Sequence, residues 1–254
     1  MKIGIFDSGV GGLTVYGTLK KKFPFCDFIY FADTAHLPYG GKSKNAVISY
    51  SRRVIGFLAG KGSDLIVCAC NTASSVAVPT LKKESPVPLY GVIESAAEEA
   101  KKSKRVAVIG TKLTIKSRAY EKAILGKKSG IKVFARATPL FVPLVEEGWV
   151  GTDVCRRVVE IYLGDIKKYR PDSLVLACTH YPVLREMISD YLGSSVKLID
   201  SSSIANVLAK HIKQGSGSGL SEFFVSDDPV HFAEAAKNVM KIGVKKVKLC
   251  TKFV

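Results

Sequence analysis

Short runs of β-branched, aliphatic and aromatic residues recur along the chain at 2–6, 27–31, 65–69, 89–93, 105–109, 131–135, 173–177 and 196–199. Runs of four to six mainly apolar residues predict strands buried on both faces. Longer stretches lie between them. In 44–60 and 152–168 the apolar residues return at three- and four-residue intervals, the spacing of a helix with one buried face. Regular alternation of the two elements predicts parallel sheets with helices on both sides. The Gly/Ser-rich stretch 212–220 predicts a flexible loop by composition. A strand at 221–225, a helix at about 230–240 and a last strand at 247–250 follow it and are expected to complete one of the sheets.

The pattern repeats itself. Lys2-Ile3-Gly4-Ile5-Phe6, followed by Ser8, matches Arg105-Val106-Ala107-Val108-Ile109, followed by Thr111, at an offset of 103. Residues 28–34 resemble 132–138 at an offset of 104, and the strands starting at Leu89 and Val196 are 107 apart. Between them, Ile66-Val67-Cys68-Ala69-Cys70-Asn71-Thr72 matches Leu174-Val175-Leu176-Ala177-Cys178-Thr179-His180, with the final cysteines 108 apart. Four strands in one order at a near-constant offset predict two similar α/β units. The expected division is 1–94 with 209–254, carrying Cys70, and 95–208, carrying Cys178. The fold class expected is a pair of flavodoxin-like or Rossmann-like parallel-sheet domains related by pseudo-twofold symmetry, with the active site in the cleft between them.

Composition narrows the setting. At 254 residues and 47% hydrophobic, the chain has ample material for a packed core, which excludes disorder as its main state. No apolar run approaches the roughly 18–20 residues that span a bilayer. The N-terminus passes directly into a strand without the apolar core of a signal peptide, and six cysteines spread over this length do not form a disulfide framework. The expected location is therefore the cytoplasm. The formal charge of +16 favours anions as partners, whether nucleic acid, acidic lipid or an acidic metabolite, and does not choose among them. Much of it lies in lysine-rich runs such as Lys20-Lys21-Lys22 and Lys245-Lys246, which read as solvated surface.

In open α/β sheets ligands sit beyond the carboxyl ends of the strands. That rule selects Asp7 and Ser8, Asp33 with the loop to Tyr39-Gly40, Cys70-Asn71-Thr72, Glu94, Thr111 and Cys178-Thr179-His180. Asp7-Ser8-Gly9-Val10-Gly11-Gly12 lacks the Lys-Ser/Thr of a P-loop and the glycine spacing of a dinucleotide site. It reads as a close-approach turn, either a plain tight turn or an anion cradle at a helix start. Cys70 and Cys178 end equivalent strands, where a helix terminus is expected to lower a thiol from about 8.5 toward neutrality. Cys26, Cys68, Cys155 and Cys250 read as inert structural cysteines. No zinc spacing and no G-x-S-x-G accompanies the four scattered histidines, so a metal site and a serine hydrolase fit poorly. A Cys178–His180 nucleophile would leave Cys70 without a role. Two equivalent thiols on facing units suit the inversion of a carbon stereocentre, with a base on one face and an acid on the other.

The chain resembles the glutamate racemases, a cofactor-independent family of the Asp/Glu racemase superfamily. The resemblance runs through Phe6-Asp7-Ser8-Gly9-Val10-Gly11-Gly12, Ala32-Asp33-Thr34, Pro38-Tyr39-Gly40, Ala69-Cys70-Asn71-Thr72-Ala73, Gly91-Val92-Ile93-Glu94, Phe141-Val142-Pro143-Leu144-Val145-Glu146 and Cys178-Thr179-His180-Tyr181-Pro182. It implies racemisation of L-glutamate to D-glutamate for peptidoglycan in cell-wall biosynthesis, with no cofactor, no metal and a homodimeric assembly. It implies that Cys70 takes the α-proton from D-glutamate, supported by Asp7, and that Cys178 takes it from L-glutamate, supported by Glu146 and His180, with Glu147 as the other candidate beside Glu146. Asp7, Ser8, Tyr39, Gly40, Asn71, Thr72, Thr179 and His180 are the implied substrate-binding residues. The chain departs from the family's common pattern at His36, Ser95 and Ala177, where arginine, proline and glycine are more usual. Two other readings stand beside this one. One is a racemase for aspartate or another acidic amino acid, and the other is a basic protein binding DNA gyrase or nucleic acid, for which no motif is present.

Overall fold

The computed structural model describes residues 1–212 and 217–251. Ten strands are present among them: β1 (Lys2–Asp7), β2 (Asp27–Ala32), β3 (Leu65–Cys68), β4 (Leu89–Gly91), β5 (Arg105–Gly110), β6 (Lys132–Ala137), β7 (Ser173–Ala177), β8 (Lys197–Ile199), β9 (Ser221–Val225) and β10 (Val247–Leu249). They build two parallel sheets, one in the order β10-β9-β2-β1-β3-β4 and the other in the order β6-β5-β7-β8. The order β2-β1-β3-β4 recurs as β6-β5-β7-β8, so the repeat read in the sequence is a repeat of topology. The last two strands add to the outer edge of the first sheet, β9 pairing with β2 from Phe28↔Ser221 to Ala32↔Val225.

Each central strand is buried on both faces because its side chains alternate between two apolar layers. In β1, Ile3 and Ile5 enter one cluster with Leu13, Leu19 and Tyr30, while Phe6 enters the opposite one with Val54, Leu58 and Ile66. In the second sheet Ala107, Ile109, Leu174 and Leu176 face the helix Asp153–Tyr169, and Val106, Val108 and Val175 face Ala97, Ala100 and Ile124. Helices begin where the sequence supplies a capping oxygen. Ser43 accepts from the Ala46 N–H at the head of Lys44–Gly60, and Thr152 accepts from the Cys155 N–H at the head of Asp153–Tyr169.

Two local expectations change. The fourth strand ends at Gly91 and a helix starts at Ile93, because the Val92 N–H leaves the ladder to bond Ser74 Oγ at 3.2 Å. The loop expected at 212–220 falls partly on 213–216, outside the described residues. Its described end is tied down, with Ser218 Oγ and the Leu220 N–H both donating to Asp27 Oδ1. Among the described residues no helix is long and apolar enough to cross a membrane.

In both sheets the chain runs from the first strand of the unit to one side and then to the other. The crevice this leaves lies between β1 and β3 in the first sheet and between β5 and β7 in the second. Asp7, Ser8 and Cys70 leave the first crevice; Thr111 and Cys178 leave the second. Leu174 is fully buried in the strand that carries Cys178. Replacing it with alanine is expected to destabilise the protein by about 2–5 kcal/mol, read as a lowered midpoint in urea unfolding; a midpoint unchanged from wild type would contradict this account of the second core.

Candidate active site

The two crevices open on one small cavity, whose walls include Cys70 from one unit and Cys178 from the other. Both sulfur-bearing residues are buried, at 5% and 7% exposure, yet both reach the cavity. It is not the largest hollow. A groove of about 920 Å³ lies elsewhere between helices, but it is lined by no cysteine or histidine.

On the first wall, Cys70 caps the helix Asn71–Val76 and its Sγ lies 3.9 Å from Ser8 Oγ. Burial pushes its thiol up to about 12; the neighbouring Asp7 and Cys178 add to the rise, while the Ala73 N–H and Ser8 oppose it. The helix terminus therefore does not prevail here, contrary to the expectation from sequence, because a thiolate with little water around it loses more than one helix start returns. Asp7 is wholly buried just behind the wall. Its Oδ1 accepts from the Gly9 N–H at 3.0 Å and its Oδ2 from Thr179 Oγ1 at 3.2 Å. Burial raises its carboxyl above the usual range, against the lowering effects of His180 and these donors.

The second wall has the opposite character. Cys178 Sγ lies 3.8 Å from His180 Nδ1, and His180 Nε2 lies 3.0 Å from Glu146 Oε1. Burial disfavours the imidazolium, but Cys178 and Glu146 outweigh it and raise His180 to about 10. The histidine is therefore a cation at neutral pH. Glu146 reaches it from the last turn of the helix Phe141–Glu146, while Glu147 faces an apolar hollow beside Leu144 and Trp149.

The walls meet at very short range. An added Cβ on Gly11 would sit 2.4 Å from Thr179 Oγ1 and 2.7 Å from His180 Nδ1, which is the physical requirement for glycine in the 7–12 turn. Thr72 Oγ1 of the first unit lies 3.0 Å from Thr111 Oγ1 and 3.1 Å from Thr114 Oγ1 of the second. Asn71 is held from across the gap as well, donating to Ser201 Oγ at 3.0 Å and accepting from the Tyr120 hydroxyl.

The residues that the resemblance places at the site, from Asp7 to His180, converge here. Ser8, Tyr39, Gly40, Asn71, Thr72, Glu146, Thr179 and His180 line the cavity with the two cysteines, and Asp7 backs it. Of the wider set of strand-end candidates, Thr111 is on the wall and Asp33 lies beneath it, accepting from the Tyr39 hydroxyl at 2.5 Å and Ser226 Oγ at 2.9 Å. Glu94 is not at the site; its side chain is largely exposed and pairs with Lys127 at 3.2 Å. Thr114 and Tyr120 escaped sequence reading because they join through tertiary contact from positions inside helices, whereas Ser201 and Ser226 lie just past β8 and β9 and were within reach of the strand-end rule. His36 stacks on Tyr50 with ring centres 4.0 Å apart and places Nδ1 2.9 Å from Asp33 Oδ1. Cys26, Cys68 and Cys155 are buried and Cys250 is half-buried, and all six cysteines are free. No lysine or arginine lines the cavity, so the +16 charge does not enter the site through its walls.

Comparison with known proteins gives a consistent result. The family model described as Asp/Glu/Hydantoin racemase matches residues 29–209. A glutamate racemase of Aquifex aeolicus is 47% identical over 230 residues, covering 89% of each chain. The crystal structure of glutamate racemase from Francisella tularensis in complex with D-glutamate superposes with a TM-score of 0.91 at 31% identity, over 98% of this chain and 97% of that one. The Aquifex pyrophilus glutamate racemase structure gives 0.83 at 44% identity, covering 97% and 98%.

Glu146→Gln is expected to lower the His180 pKa from about 10, by roughly a unit or more, as followed by NMR of its ring carbons; an unmoved titration would remove Glu146 as the group that holds the imidazolium. The folded value lies above the ordinary 6.5, so the stability it contributes is complete below about pH 6.5 and is lost as pH rises through about 10. Between those limits the unfolding free energy of the wild type should fall more steeply with pH than that of Glu146→Gln.

Proposed function

The chain belongs to the Asp/Glu/hydantoin racemase family and is an amino-acid racemase, and from that premise we propose that it interconverts L- and D-glutamate without a cofactor, using Cys70 and Cys178 as the two proton-transfer residues. The observation that carries this reading is the pair of cysteines at equivalent strand ends of two facing units, opening on one cavity. An α-carbon held between them is accessible to one sulfur on each face.

The surroundings of the two sulfurs support an order of steps. With its thiol near 12, Cys70 waits as the proton donor. Cys178 stands beside the His180 imidazolium, the charge that a thiolate there requires. With L-glutamate bound, Cys178 takes the α-proton and Cys70 delivers its own to the opposite face, giving D-glutamate with the protonation of the two sulfurs exchanged. D-glutamate reverses both transfers. Asp7 and Cys70 repel as anions, so the pair carries one negative charge most readily, and a thiolate at Cys70 leaves the proton with Asp7. The α-proton is weakly acidic, and preorganised donors around the α-carboxylate lower the cost of the carbanion. Ser8, Thr72 and Thr179 supply hydroxyls and the Tyr39-Gly40 and Thr179-His180 segments supply backbone N–H groups for the substrate's carboxylates, with Asn71 beside them. Activity then requires one thiolate and one thiol, giving a bell-shaped pH profile.

The same reading divides the chain into 1–94 with 209–254 and 95–208, related by a pseudo-twofold axis through the cleft. It places the enzyme in a reducing cytoplasm that keeps its thiols free and assigns its product to peptidoglycan synthesis. It takes the active assembly to be a homodimer, for which the exposed Leu140, Trp149, Val154 and Ile161 offer an apolar surface.

Incubation of the purified protein with L-glutamate in D2O, with no pyridoxal phosphate added, should give loss of optical rotation with deuterium at the α-carbon. Cys70→Ala and Cys178→Ala should each lose racemisation by about 10²–10⁴-fold or more. Full activity in either variant would refute the two-thiol mechanism, and turnover of aspartate alone would replace glutamate as the substrate.

A further inference from the structure

We propose that the contact between Gly40 and Thr111 is the stop that fixes the width of the cleft, so that Gly40 acts as a positioning residue through its missing side chain. The inference rests on the racemisation reading above. Gly40 lies on the cavity wall of the first unit and Thr111 on that of the second. A Cβ on Gly40 would sit 2.5 Å from Thr111 Cβ, 2.6 Å from Cγ2 and 3.0 Å from Oγ1. Gly40 does not have a positive φ, so its backbone conformation is open to any residue; what the position demands is space.

Neither side can retreat. Thr111 caps the helix Lys112–Ser117, and its Oγ1 lies 3.0 Å from Thr72 Oγ1 and 2.9 Å from Thr114 Oγ1. Behind it, Gly110 is already tight against the second core, where an added Cβ would meet the Ala177 carbonyl at 3.1 Å. The loop carrying Gly40 is held by the Tyr39 hydroxyl on Asp33, whose carboxylate also binds Ser226 and His36. An alanine at 40 would therefore be relieved by parting the two units, by about 1 Å to reach ordinary contact. A misplacement of that size between two transfer groups costs on the order of 10²-fold in rate. It also admits water to the thiol that has just taken the α-proton, so that the substrate exchanges with solvent and is returned without inversion.

Gly41 provides the control, because a Cβ there meets nothing within 4 Å. The test is a cycle of Gly40→Ala in the native and Thr111→Gly backgrounds, with Gly41→Ala beside it. Thr111→Gly removes the three atoms nearest the new Cβ and leaves a residue tolerated at a helix cap. Gly40→Ala should lose about 10²-fold in kcat and raise the ratio of α-deuterium in recovered L-glutamate to that in D-glutamate product. In the Thr111→Gly background the same substitution should cost little, and Gly41→Ala should behave as wild type. Wild-type activity in Gly40→Ala overturns the proposal, as does any loss, including failure to fold, that Thr111→Gly does not relieve. A wild-type protein with no glutamate turnover would instead overturn the reading on which it rests.

Discussion

Two buried sulfurs on separate sheets open on one cavity, and the molecule depends on how closely those sheets present their carboxyl ends to each other. Parallel sheets alone give no reason for such an approach, since strand ends carry unpaired backbone groups that ordinarily require water or ligand. Here side chains of the two ends bond each other across the gap. Thr179 of the second unit donates to Asp7 of the first at 3.2 Å, and Thr72 of the first shares its hydroxyl with Thr111 and Thr114 of the second. These bonds are short-range and buried, so they hold only if the backbones come close, and Gly11 and Gly40 remove the side chains that would keep them apart.

Within that geometry the halves are equivalent in backbone and unlike in charge. Both cysteines end the third strand of a β2-β1-β3-β4 order, yet Cys70 has a buried carboxylate behind it and Cys178 a buried imidazolium beside it. Low water content sharpens the difference. A carboxylate near a thiol favours keeping the proton on one of the pair, while a histidine near 10 keeps a positive charge next to the other sulfur throughout the neutral range. Glu146 completes the second half by making that cation tolerable in a buried place.

Most of the fold was legible because it is written as hydrophobic period and turn. All ten strands lie within a few residues of where their apolar runs place them, and the repeat of four strands is visible as an offset of 103–108. The site was legible to the extent that function follows strand ends, which gathered Asp7, Ser8, Cys70, Thr111 and Cys178 before any contact was known. Three things were not. The rise of Cys70 depends on how much water surrounds it, and a sequence states only that a helix begins nearby. Tyr120 meets Asn71 across 49 residues of chain from inside a helix, without a local signature. Glu94 was misplaced because Val92 turns out of the ladder toward Ser74, a side-chain bond that hydrophobic period cannot register.

The unlike halves raise a question of direction. Enantiomers have equal free energy in solution, so no asymmetry of the site can bias the equilibrium between them, and kcat/KM must be the same from either side. The charge arrangement acts on a different quantity, which is the form in which the free enzyme waits. On the proposed two-thiol mechanism, a form with Cys70 protonated accepts the L-enantiomer, and the form left after turnover returns by moving a proton between the walls or by turning over the D-enantiomer. Asp7, which accepts from Thr179, and His180, 3.8 Å from the Cys178 sulfur, are buried titratable groups on either side of that return. The near contact of the two units thus serves more than substrate placement: it brings a buried carboxyl and a buried imidazole beside the cavity that both sulfurs share.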